Sequence, residues 1–151
     1  MGLVAKNQEK KARSIFRFES RKEKRRHKSE LKLIEEEINR SKRHNLNVSV
    51  LVVDLPRSTP QGISKLVPGK VISFHAVESH IRSYDRLIIP YIKGRYYIIL
   101  PDTDKKEANA VKQRIYELSQ RYNWGVTSIR IATYPEDGET SEALLAKAIY
   151  E

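Results

Sequence analysis

The chain has 151 residues, 39% of them hydrophobic, enough for one core of ordinary size and too few for a second large domain. With no cysteine, disulfides and thiolate metal sites are excluded, and no apolar run is long enough to cross a bilayer. The net charge of +10 is concentrated in residues 1–45, which hold 15 Lys and Arg against 7 Asp and Glu, whereas residues 46–151 hold 14 against 12.

The start, MGLVAKNQEKK, turns charged too early for a signal peptide, so a cytoplasmic, soluble protein is expected. From Gln8 to Asn45 there is neither proline nor glycine, and helix formers dominate, which predicts a long helix. Its apolar residues fall in two islands, Ile15, Phe16 and Phe18, then Leu31, Leu33, Ile34 and Ile38. Leu31, Ile34 and Ile38 have the spacing of a face packed on a sheet. The intervening SRKEKRRHKSE has no strong apolar residue and is expected to bury no face. It reads as a solvated helix, with an acidic protein, nucleic acid or anionic lipid as alternative partners. Ile15–Phe18 offers a contact for a second protomer or another protein, although no heptad is sustained.

Val48 to Val53 is a continuous apolar run ending in Asp54, the pattern of a strand buried on both faces. Leu55 to Gly69, with three prolines and two glycines, predicts a loop. His75 and His80 fall on a predicted helix. With His27 and His44 they do not cluster with carboxylates at ligand spacing, so no zinc site is expected. Leu87 to Ile92 and Tyr96 to Leu100 flank Lys93-Gly94-Arg95, a β-hairpin with Gly94 in the turn. Asp102 or Thr103 should cap a helix from Lys105 to Arg121, where Ala108, Val111, Ile115 and Leu118 recur at helical spacing. Val126 to Tyr134 reads as a further strand closed by Pro135-Glu136-Asp137-Gly138, and Ser141 should cap a last helix.

Asn47 to Asp54 followed by LPRSTP, then RSYDRLIIPYIKGRYYIILPDTD, then VTSIRIATYPEDGETSEALLAKA, resembles the skeleton of a GGDEF domain, the diguanylate cyclase family, over most of Arg43 to Glu151. The pieces ILPDTDKKEA and IATYPEDGETSEALL carry the resemblance best, and they are scaffold. The implied organisation is a basic helical segment, residues 1–45, before a GGDEF-like domain, residues 46–151. The implied fold is α/β of the α+β kind: a central, mostly antiparallel sheet of four or five strands flanked by helices.

The resemblance places Ile92-Lys93-Gly94-Arg95-Tyr96 where the family reads Gly-Gly-Asp-Glu-Phe. The family's glycines let GTP approach the backbone, and its acidic pair assists metal binding; isoleucine, lysine and arginine do neither. Hard divalent cations take carboxylate and carbonyl oxygens, so two cations in that place would repel Mg²⁺. Asp54 stands where one metal-binding aspartate is expected, Pro56 replaces the second, and Arg130 replaces the usual glycine of a later strand. No catalytic residue and no functional magnesium site are therefore expected, and the chain is read as not an enzyme, since phosphoryl transfer rests on positioning and metal neutralisation. Lys93, Arg95 and Arg130 are expected to be solvated charge, with metal-free phosphate binding as the alternative.

Arg82-Ser83-Tyr84-Asp85 lies where many family members carry an Arg-x-x-Asp inhibitory site. The resemblance implies cyclic di-GMP as ligand, held by Arg82 and Asp85 with Arg86 or a cation of the basic helix completing the site. An arginine fork can grip phosphate or guanine, and a carboxylate can accept from guanine donors. Six residues separate Asp85 from Ile92 where five are usual, a difference that a bulge or longer turn would absorb. The reading is a catalytically inactive regulatory module, a cyclic di-GMP receptor or signalling scaffold needing no cofactor. The alternative is a ligand-free protein- or nucleic-acid-binding module using the basic helix.

Overall fold

The computed structural model describes residues 21–54, 77–88 and 94–150, and its sheet is built around β1, Val48–Asp54, whose first six residues are all buried. Strand β2, Arg86–Ile88, pairs with β3, Arg95–Pro101; β3 and β4, Ser128–Tyr134, flank β1, giving the order β2-β3-β1-β4 with every pairing antiparallel. An antiparallel strand usually alternates apolar and polar residues, but β1 does not, because both faces of the sheet are covered. On one face Val48, Val50 and Val52 meet Ile34 and Ile38 of helix α1, Arg21–His44, and Leu144, Leu145 and Ala148 of helix α3, Ser141–Tyr150. On the other, Leu51 and Val53 meet Ala108, Ile115 and Leu118 of helix α2, Lys105–Tyr122, together with Trp124. Burying each such aliphatic side chain contributes about 1.5–3 kcal/mol.

The expected mixed α/β architecture is what the chain adopts, and the mostly antiparallel sheet of four or five strands is seen among the described residues as four antiparallel strands. Ile15, Phe16, Phe18, the loop at 55–69, His75, Ile92 and Lys93 lie outside the described residues, as do the five residues that separate β2 from Gly94. Within α1 the expectation for SRKEKRRHKSE needs correcting. His27 and Glu30 are buried, and with Ile34, Ile38 and Ser41 they form one stripe at spacings of three and four. The inner face of α1 therefore continues past its apolar island into polar residues.

Two helix caps also differ from expectation by one or two residues. The N-cap of α2 is Asp104, in a capping box: Glu107 N donates to Asp104 Oδ1 at 2.8 Å and Asp104 N to Glu107 Oε1 at 3.3 Å. Asp102 is instead left-handed, with φ 48, and Thr103 turns its side chain inward. At α3 the cap is Thr140, whose Oγ1 accepts from Ala143 N; Ser141 is the first helical residue, and its N–H donates to Glu35 Oε2 of α1 at 2.9 Å.

The two scaffold pieces are stitched together near the start of β1. Ser49 Oγ donates to Thr103 O and lies 2.9 Å from Thr133 Oγ1. Lys105 Nζ meets Asp137 Oδ1 at 2.9 Å, while Asp137 Oδ2 accepts from Thr133 N. Gly138 comes next because a Cβ there would stand 2.9 Å from that of Ala143. Among the described residues no helix is long and apolar enough to cross a membrane.

Candidate functional site

Asp54 closes β1 directly opposite Arg95 on β3 and Ser128 on β4. Strand alternation puts Asp54, Arg95 and Arg130 on the face that carries Val50, Val52, Tyr97 and Ala132, so the apolar layer under α1 and α3 ends in a charged corner. Arg95 Nε donates to Asp54 Oδ1 at 2.8 Å; Oδ2 accepts from Ser128 Oγ at 3.0 Å and pairs with Arg130 Nη2. The three charged side chains are 15–27% exposed, with Asp54 at 18%. Burial pushes the Asp54 carboxyl up, but hydrogen bonds from Arg95, Arg130 and Ser128 outweigh it and hold the group below the usual carboxylate range.

Arg130 extends the corner to α3. Its Nη1 donates to Ile149 O in the last turn of that helix, where a cation complements the exposed carbonyls and the helix dipole. Its Nε is buried and meets no acceptor among the described residues. On β3 the Tyr97 hydroxyl is likewise buried without a hydrogen-bond partner among the described residues. Burial pushes this phenol up to about 12, although the neighbouring Arg95 pulls the other way. Above this corner α1 brings in His27 and Glu30, with Nδ1 and Oε2 3.5 Å apart.

The resemblance reads Asp54 at a metal-binding position, Arg95 in the signature hairpin and Arg130 in place of a strand glycine, and the structure brings all three together. Arg95 and Arg130 are not solvated surface charge: both guanidiniums pair with Asp54, and that of Arg130 also reaches Ile149 O. The missed part is this mutual pairing, together with Tyr97, His27 and Glu30. A signal was present in the sequence, since pairing Val48–Asp54 with Tyr96–Leu100 as antiparallel neighbours brings Asp54 to Arg95.

A second corner lies at the opposite end of β1. After a helical turn at 77–80, Asp85 N donates to Arg82 O and closes a tight turn. The Asp85 side chain is 2% exposed and faces inward. Its oxygens accept from Arg82 Nε at 3.1 and 3.2 Å, from Arg82 Nη2 at 3.0 Å and from the Arg82 backbone N–H at 2.8 Å. Arg82 Nη2 also donates to Pro101 O and, at 2.6 Å, to Thr103 Oγ1. The Arg82 side chain stays 36% exposed, with its guanidinium carbon 4.5 Å from the centroid of the exposed Tyr84 ring, and Arg86 is exposed next to it on β2. The Arg-x-x-Asp pair is thus assembled, its two members bound to each other.

An antiparallel sheet ordered β2-β3-β1-β4, with α1 and α3 on one face and α2 on the other, is the fold of GGDEF domains. Neither a protein-family model nor a curated protein matches the chain, and solved structures supply the comparison. The GGDEF domain of YfiN (TpbB) from Pseudomonas aeruginosa superposes with a TM-score of 0.63 at 20% identity, covering 77% of this chain and 80% of that one. A diguanylate cyclase protein from Thermotoga maritima gives the same score and identity over 82% of this chain and 88% of its own. The diguanylate cyclase SiaD from P. aeruginosa, solved with its activator SiaC, gives 0.53 at 20% identity over 82% and 54%. At these identities the likeness is one of fold.

Proposed function

We propose that the chain is a non-catalytic regulatory module on a GGDEF fold. The observation that carries this reading is the occupation of Asp54: both of its oxygens are taken, by two guanidiniums and a hydroxyl. A magnesium ion needs oxygen ligands and repels fixed cations at the same carboxylate, so this donor set does not fit the metal on which phosphoryl transfer depends. Incubated with GTP and Mg²⁺, the chain should form no cyclic di-GMP detectable by chromatography. Metal-dependent product would overturn the reading.

The regulatory ligand in this reading is cyclic di-GMP. With Asp85 turned inward, its role is to position Arg82, while the exposed edge of Arg82, stacked on Tyr84, and neighbouring Arg86 meet the ligand's phosphates. Isothermal titration of cyclic di-GMP should show micromolar binding that Arg82→Ala abolishes and Arg86→Ala weakens. Absence of heat in the wild-type protein would instead support a scaffold that works through protein contacts alone.

A further inference from the structure

Helix α1 carries a feature that neither corner uses. At about 100° per residue, Arg21, Arg25, Lys28 and Lys32 line up on one face, opposite the buried stripe His27, Glu30, Ile34, Ile38 and Ser41. All four are exposed, and none forms an ion pair among the described residues. The helix that presents them is fixed to the domain by fully buried Ile34 and Ile38 and by the bond from Ser141 N to Glu35.

We propose that this stripe is a sequence-independent binding surface for the phosphate backbone of duplex nucleic acid. Eleven helical rises separate Arg21 from Lys32, about 16 Å at 1.5 Å each, enough to reach phosphates on both sides of a major groove about 12 Å wide. The chemistry of the face separates this occupant from others. A protein interface is anchored by buried aromatic or aliphatic side chains, and an amphipathic membrane helix inserts an apolar face. The exposed large apolar residues among those described, Tyr84, Tyr122 and Tyr150, all lie outside α1. The serine beside the stripe, Ser29, already bonds its hydroxyl to Arg25 O, so the face offers point charges and no built reader of base edges.

The test uses the full chain and a fluorescent 20-base-pair duplex of arbitrary sequence, read by anisotropy at 50–200 mM salt. Four phosphate contacts predict a log–log salt slope of about −3.6, hence roughly a 100-fold loss of affinity over that range. Replacing Arg21, Arg25, Lys28 and Lys32 together by alanine should weaken binding at least about tenfold at the lowest salt and flatten the slope. Circular dichroism and the melting temperature should be unchanged, since the four side chains are exposed. A control with Lys106→Ala and Arg121→Ala on α2 should bind as the wild type does. The proposal is overturned if the duplex does not bind at 50 mM salt, or if the stripe and control variants bind alike. It is equally overturned if the chain sediments with phosphatidylglycerol vesicles while ignoring the duplex.

Discussion

At the end of β1 two guanidiniums share one carboxylate, Asp54, whereas near its start one guanidinium, Arg82, is divided among Asp85, Pro101 O and Thr103 Oγ1. The first corner sets two guanidiniums on one carboxylate and leaves Arg130 Nε without an acceptor among the described residues; in the second, one guanidinium meets one carboxylate and two neutral oxygens. A carboxylate therefore has a different task in each place. Asp54 neutralises two cations that have little access to water, and removing it strands both. Asp85 orders one arginine that is already 36% exposed and can turn outward when released.

On this ground Asp54→Ala should be the most damaging change, about 2–4 kcal/mol in urea unfolding, somewhat below a fully buried pair because the corner is partly solvated. A loss under about 1 kcal/mol would show that the cluster behaves as a surface salt bridge and would break the comparison. Acid sharpens it. The folded-state pKa of Asp54 lies below the usual 3.8, so its contribution is complete above about pH 4 and is lost as pH falls through the lower folded value. Stability measured from pH 5 to 2 should fall less steeply in Asp54→Asn than in the wild type.

Asp85→Ala should cost less, about 1–3 kcal/mol, through the lost turn bond to Arg82 N and the charged bonds to its guanidinium. Equal losses at Asp54 and Asp85 would mean that exposure of the partner arginine does not matter. Away from both corners, Thr140→Ala removes the cap of α3 and should cost about 1 kcal/mol by the same measurement. A loss above about 2 kcal/mol would exceed what a single N-cap contributes and would break this ordering.

The two corners also differ from the core in how far the sequence made them legible. β1 was readable because a strand covered on both faces leaves an unbroken apolar run, and α2 because its apolar residues recur at helical spacing. Arg95 and Arg130 were readable as departures from the family pattern, in the signature hairpin and at a strand glycine, but composition says nothing about whom a cation pairs with. That pairing depends on register, which sets Asp54 opposite Arg95 and Ser128. His27 and Glu30 were hidden for another reason. Their i, i+3 spacing continues the stripe of Ile34 and Ile38, but a periodicity sought in apolar residues passes over a buried stretch made of charged ones. The caps slipped because adjacent Asp102, Thr103 and Asp104 all suit the role, and the choice falls to Asp104 once Asp102 is left-handed and Thr103 faces Arg82.

The smallest effect, and the only one of opposite sign, belongs to Tyr97. Its ring fills the layer between β3 and α1, while its hydroxyl, near the Arg95 side chain, is buried with no hydrogen-bond partner among the described residues. A buried hydroxyl that forms no hydrogen bond forfeits its hydration without return, so Tyr97→Phe keeps the packing and removes the cost. The variant should be unchanged or up to about 1 kcal/mol more stable. Destabilisation would mean that the hydroxyl is satisfied in solution, most simply by the neighbouring Arg95 guanidinium, directly or through a water. Arg95→Met in the Tyr97→Phe background tells these apart. A bond between hydroxyl and guanidinium, direct or through a water, makes the two substitution costs non-additive, whereas an unsatisfied hydroxyl gives effects that add.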